Sequence, residues 1–209
     1  MYAEDTIAAI ATARGPGGIG IVRVSGSLAG QIAERVFVRD QPGEWLSHKL
    51  YHGRLLDRNG GTLDAAMAVV MRGPHSYTGE DVLELQCHGS PVVLDQALDV
   101  VLQAGARAAT AGEFSRRAFF NGRMDLVQVE AVSDLVAARS EEAAHGAIDQ
   151  LFGGLSRFLN ELRATLIDAK AILEAEIDFS DEDITFDNEQ VPELLSQATA
   201  RATQLLDTY

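Results

Sequence analysis

Between Gly112 and Tyr209 the chain carries a single proline, Pro192, among long stretches of Ala, Leu, Glu and Arg. Proline inside a helix removes a hydrogen bond and costs about 3 kcal/mol, so this run is free to be helical nearly throughout. Apolar residues keep a helical period within it: Ala131, Leu135 and Ala138 in one segment, Leu155, Phe158, Leu159, Leu162, Leu166 and Ile167 in another. Ser140 followed by Glu141 and Glu142 reads as a helix start. A serine oxygen accepts from the free N–H groups there, and acids suit the positive end of the helix dipole. The pattern breaks in the acidic stretch Glu174–Glu189 and resumes as a last helix from Pro192 towards Thr208. The period is still running at the final residues, so the sequence is expected to stop inside or just after a helix.

The first half has a different texture. Thr6–Ala11 and Ile19–Val24 are short apolar runs divided by Gly15-Pro16-Gly17-Gly18. Leu28–Val38 has helical spacing, with Ala29, Ile32, Ala33, Val36 and Phe37 on one face. Leu50–Leu56 alternates weakly, Asp64–Met71 is a denser apolar run ending at Gly73-Pro74, and Val82–Cys87 alternates around its leucines. Pro91 opens a helix to about Ala104, where Gly105 stops it. The expected fold class is therefore α+β: a mixed α/β domain over residues 1–120, then an all-helical one over 121–209.

Composition excludes several classes. A net charge of −14 over 209 residues rules out a general electrostatic footprint on nucleic acid, so RNA contact needs a local patch, another domain or a partner. The cations are 15 Arg against only Lys49 and Lys170; Arg presents a planar fork suited to carboxylates and phosphates, but a genomic Arg bias is the favoured explanation of the ratio. No apolar run approaches the ~18–20 residues of a membrane span, and Met1-Tyr2-Ala3-Glu4-Asp5 is not the basic start of a secretory signal. A lone cysteine, Cys87, permits no internal disulfide and fits a reducing cytoplasm.

Most apparent motifs dissolve on inspection. Gly15-Pro16-Gly17-Gly18-Ile19-Gly20 lacks the lysine of a phosphate-binding loop and leads into a strand, so it reads as a tight turn. The acids of Glu174–Glu189 have neither the spacing nor the glycine of a calcium loop. His48 and His52 lack companion ligands, and only His88 sits at a strand end, where sites are often built. No metal ligands and no catalytic residues are assigned.

Two segments resist that treatment. In Gly73-Pro74-His75-Ser76-Tyr77-Thr78-Gly79-Glu80-Asp81, turn-forming pairs flank a polar loop in which Thr78 could cap. Glu84 then stands mid-strand among leucines, where a half-buried carboxylate must find donors. Two readings stay open for it: an internal pair with an Arg, or a grip on the N–H edge of a heterocycle. The second segment runs from Gly112 to Leu126, where Arg116, Arg117 and Arg123 make a dense basic patch and Asn121-Gly122 stops a helix.

GPHSYTGEDVLELQCHGS and GEFSRRAFFNGRMDLVQVEAVSDLV resemble signatures of the MnmE (TrmE) family of tRNA modification GTPases. DTIAAIATARGPGGIGIVRVSG is similar to the family's opening, and EAEIDFSDEDI to part of its helical domain, so the resemblance runs along the whole chain in order. It implies the N-terminal, folate-binding part of such a protein, with the GTPase domain expected beyond the chain's end. The positions matching the family's folate contacts are Arg23, Glu84 and Arg123, which would hold a tetrahydrofolate derivative in its 5-formyl or methylene form. Arg123 stands where the family usually has Lys, and Ser90 where it has the last glycine of His-Gly-Gly. The resemblance further implies a homodimer through the N-terminal domain, an FAD-dependent MnmG partner and tRNA as substrate. GTP, potassium and magnesium would enter only through the GTPase domain. A free-standing folate-binding or dimerisation module without tRNA chemistry is the alternative.

Overall fold

The computed structural model describes residues 5–178 and 190–207, and the chain divides into two compact units, Met1–Met124 and Asp125–Tyr209. The first contains β1 (Ile7–Ile10), β2 (Gly17–Ser25), α1 (Ala29–Val36), β3 (Phe37–Arg39), β4 (Leu50–Leu56), β5 (Thr62–Met71), β6 (Val82–Gly89), α2 (Pro91–Gln103), β7 (Arg107–Ala108) and α3 (Glu113–Phe120). Its strands form one sheet in the order β3-β4-β5-β6-β2-β1-β7. Every pairing is antiparallel except β1 with β7, so the sheet is mixed.

Strand alternation decides which side chains are buried. Val22 and Val24 of β2, Leu83 and Leu85 of β6, Ala68 and Val70 of β5 and Leu55 of β4 lie on one face, fully removed from solvent. They form a single core with Ala29, Ile32, Ala33 and Val36 of α1 and Leu94, Ala97 and Val101 of α2. The intervening residues define the opposite face in cross-strand rows. One row runs Arg23, Glu84, Val69, Leu50; the next runs Ile21, Gln86, Met67, His52.

The second unit consists of α4 (Leu126–Ala137), α5 (Glu141–Leu151), α6 (Gly154–Asp178) and α7 (Gln190–Leu206). Asp125 caps α4 in a reciprocal box with Gln128, and Ser140 caps α5 through the Ala143 amide. Arg201 late in α7 meets Glu161 early in α6 at 3.3 Å, as expected for an antiparallel pair.

Two expectations need correction, and one short strand went unread. Helical spacing over Leu28–Val38 overran the helix: α1 ends at Val36, and Phe37 and Val38 pair with Leu55 and Arg54 instead. Phe37 is buried in either conformation, so its apolar character could not locate the boundary. Strand β7, two residues long, carried no periodic signal. Helix α6 continues to Asp178, beyond the point where the apolar pattern fails; Asp181, Glu182, Asp183 and Asp187 of the acidic stretch lie outside the described residues.

Candidate functional site

Arg23 and Glu84 face each other directly in the β2–β6 register. Arg23 donates from Nε to Glu84 Oε1 at 2.8 Å, with both side chains partly exposed. The internal-pair reading of Glu84 is therefore what the unliganded chain shows. It leaves Oε2 of the carboxylate outside that bond. The Arg23 guanidinium also lies 5.1 Å from the Tyr77 ring and 5.9 Å from the Phe114 ring, close enough for cation–π attraction. An aromatic-flanked arginine beside a carboxylate offers a flat surface together with donors and acceptors at its rim.

Tyr77 belongs to the loop 73–81, which several short bonds hold down. Asp81 accepts from the Gly73 amide at 3.0 Å, and Ser76 Oγ donates to the Glu80 carbonyl at 2.6 Å. Ser25 Oγ lies 2.6 Å from both Thr78 Oγ1 and Glu80 Oε2. Serine has one proton and an ionised carboxylate has none, so Ser25 donates to Glu80 and Thr78 donates to Ser25. Thr78 caps no helix, contrary to the sequence reading; it is a buried link between the loop and β2. From α3, Ser115 bonds the Tyr77 hydroxyl at 2.9 Å, and Asn121 donates to the Thr78 carbonyl at 2.7 Å.

Arg123 follows the turn that ends α3, where Gly122 has φ +67°. Its Nε donates to the Ser76 carbonyl at 3.1 Å, one residue from the Tyr77 ring that Arg23 meets. Gly79 makes that approach possible. A side chain there would set its Cβ 3.1 Å from Arg123 Cγ, and its φ of +79° strains other residues. Arg23 and Glu84 thus meet directly, whereas Arg123 joins them only through the Ser76–Tyr77 stretch.

The expected basic patch is not one. Arg117 is buried at 3% exposure and points into a carboxylate cluster. It donates to the Asp5 carboxylate at 2.6 Å, to both Glu80 oxygens at 3.1 Å and to Glu113 at 3.3 Å. Glu113, also buried, takes a bidentate pair from Arg107 at 2.9 and 2.6 Å and the Thr110 amide at 2.8 Å. The Arg107 fork, aided by Thr110 and Arg117, holds the Glu113 carboxyl well below the usual carboxylate range. Arg116 lies within 3.4 Å of Glu113. Sequence reasoning missed this network, although Glu113 and Arg117 stand at the i,i+4 spacing that invites a helix ion pair.

The remaining candidates are accounted for locally. His88 shares Asp64 through its backbone amide and its ring, and His52 pairs with Asp40. Cys87 is buried, and burial, reinforced by Asp64, pushes its thiol up to about 12. The glycine stretch is not a tight turn throughout: Gly15 and Pro16 lie between β1 and β2, but Gly17, Gly18 and Gly20 belong to β2, and Gly17 and Gly20 pair with Gly89 and Cys87 of β6. Ser90 stands at the start of α2 without a side-chain capping bond. Among the described residues no group of His, Cys, Asp and Glu is arranged to hold a metal ion, and no helix is long and apolar enough to cross a membrane.

Fold and site together define an α+β domain that presents an arginine–carboxylate pair beneath a clamped aromatic loop, followed by a helical unit. The family model described as the N-terminus of the GTP-binding protein TrmE matches residues 6–123, and that of the MnmE helical domain matches 126–209. The chain belongs to the MnmE family of tRNA modification GTPases. It is 54% identical over 185 residues to the tRNA modification GTPase MnmE of Geobacter sulfurreducens, covering 88% of this chain and 41% of that protein. The namesake from Roseiflexus sp. is 46% identical over 207 residues, covering 99% and 44%, and that of Symbiobacterium thermophilum is 52% identical over 180, covering 84% and 39%. The chain thus spans about two fifths of the length of these curated relatives.

Proposed function

We infer that this chain binds a tetrahydrofolate derivative, 5-formyl or methylene, through Arg23, Glu84 and Arg123. The observation that carries the reading is the Arg23–Glu84 pair at 2.8 Å on a sheet face, flanked by Tyr77 and Phe114. A pterin is flat, stacks against aromatic rings and presents an edge of adjacent N–H donors that a carboxylate can accept. Glu84 takes that edge, and the two arginines suit the ligand's carbonyl and carboxylate groups.

In the same reading residues 1–120 are the folate-binding and dimerisation domain and 121–209 the first part of the helical domain. The uncovered sheet face supports dimerisation, because Ile21, Val69 and Met67 remain partly exposed on it and Leu50 is 44% exposed. The whole protein is a cytoplasmic GTPase using potassium and magnesium. With an FAD-dependent MnmG partner it adds a carboxymethylaminomethyl-type group at C5 of the wobble uridine of tRNA, drawing a carbon from the folate.

Calorimetric titration with 5-formyl-tetrahydrofolate tests the folate reading. Saturable binding is expected, and Glu84→Ala should weaken it by about 2–3 kcal/mol, roughly 30- to 150-fold. Unchanged affinity in a folded Glu84→Ala chain would remove Glu84 from the site.

A further inference from the structure

Beside Arg123 and Tyr77 lies an open cleft of about 410 Å³. It is lined by His48, His75, Arg123, Ser76, Tyr77 and two methionines, with no acidic residue. In a chain of net charge −14 this is a notable local exception. The cleft between α2 and the β4–β5 turn includes Asp57 and Asp99, and the one beside Gly26 includes Asp5, Glu80 and Asp81. The cleft beside Gln86 also contains two histidines, His52 and His88, but carboxylates of Asp40 and Asp64 already answer them.

The nitrogen groups of the Arg123 cleft are engaged differently. His48 Nδ1 shares a hydrogen bond with the Ser47 hydroxyl at 2.8 Å, and Arg123 gives its Nε to the Ser76 carbonyl, so both partners are neutral. Among the described residues no carboxylate forms an ion pair with His48, His75 or Arg123. The outer guanidinium nitrogens of Arg123 form a planar fork matched to a carboxylate. Two imidazoles nearby supply further hydrogen-bonding groups, and a concave surface that holds a guanidinium and no carboxylate favours an anionic ligand.

We propose that this cleft is a subsite for an anionic tail of repeated γ-linked glutamates on the bound folate, so that the chain prefers oligoglutamylated ligands. The inference rests on the folate reading above. With the pterin edge at Glu84, the tail crosses Tyr77 and its carboxylates meet Arg123, then His75 and His48. Each added γ-glutamyl residue brings one more carboxylate to the cleft.

The test compares the mono- and triglutamate forms of 5-formyl-tetrahydrofolate in calorimetric titrations of the native chain, Arg123→Gln, His75→Gln and the double variant. The triglutamate should bind native chain about five- to tenfold tighter at low salt, with the ratio shrinking as salt rises. Each single substitution should lower the ratio, and the double variant should bring it near one. Both substituted side chains are exposed, so the variants are expected to fold, and circular dichroism verifies this. A native ratio of one, with both forms bound, overturns the tail subsite and leaves the folate reading standing. A ratio that survives the double variant places the tail elsewhere and also overturns it. Failure of both forms to bind defeats the folate reading itself, and the subsite with it.

Discussion

The two units bury different kinds of residue. The first encloses Ile7, Ile32, Leu55, Leu83, Leu85 and several valines at under 2% exposure. Among the described residues of the second, the buried side chains are Ala131, Ala147, Ser156, Ala169, Val191 and Ala198, while Val136, Phe152, Ile177 and Leu206 are more than 70% exposed. Full burial of a leucine-sized side chain contributes about 1.5–3 kcal/mol, and of a single methyl about 0.8 kcal/mol. Stability within this chain is therefore concentrated in the sheet unit, and the helical unit relies proportionately more on helix caps and propensity. Burial also governs charge. Arg117 and Glu113 sit deep in the first unit, where a lost contact is not replaced by water; Lys170–Glu174 and Arg201–Glu161 in the second are exposed and screened.

Substitutions should separate the two units. The largest effect is expected from Arg117→Met, which removes the buried cation shared by Asp5, Glu80 and Glu113 and leaves Glu113 to Arg107 and Thr110. Urea unfolding of the sheet unit should show a loss of about 3–5 kcal/mol. A loss below about 1 kcal/mol would mean that water reaches the cluster and the burial contrast is false.

Acid should act next, and through the same unit. The Glu113 carboxyl is depressed in the folded chain, so its contribution is fully present above its ordinary value of 4.5. As pH falls below that value the unfolded chain takes up the proton while the folded one resists, and the contribution declines towards the folded value. Glu113→Gln should flatten the stability profile in that acidic window; an unchanged profile would assign the slope to other carboxylates.

Asp125→Ala should cost about 1 kcal/mol by removing the α4 capping box. Its effect should appear in amide exchange of α4 and α5 and leave the sheet protected. Val136→Ser is expected to change stability by no more than about 0.5 kcal/mol, since the side chain is 85% exposed. A larger loss would show that this residue is covered in solution.

The sequence made much of this arrangement legible. Leu83 and Leu85 alternating with Glu84 and Gln86 identified a strand with one core face, and Asn121-Gly122 marked the end of α3. Pairing was not legible, because the partner of Glu84 depends on a register between strands 61 positions apart. For the same reason Arg117 looked like surface charge: its neighbours Asp5 and Glu80 are 112 and 37 residues distant. Phe37 and Val38 show the converse limit, since an apolar period inherited from a helix continued into a strand without a break.

The buried thiol described earlier has a practical consequence for labelling. With Cys87 pushed up to about 12 and 2% exposed, roughly one thiol in ten thousand is ionised at pH 8, and that one is shielded from reagents. Maleimide probes will pass it by. A cysteine introduced on the exposed surface, at Val136 or Phe152 for instance, can then carry a fluorophore as the sole reactive handle, with the native residue left in place.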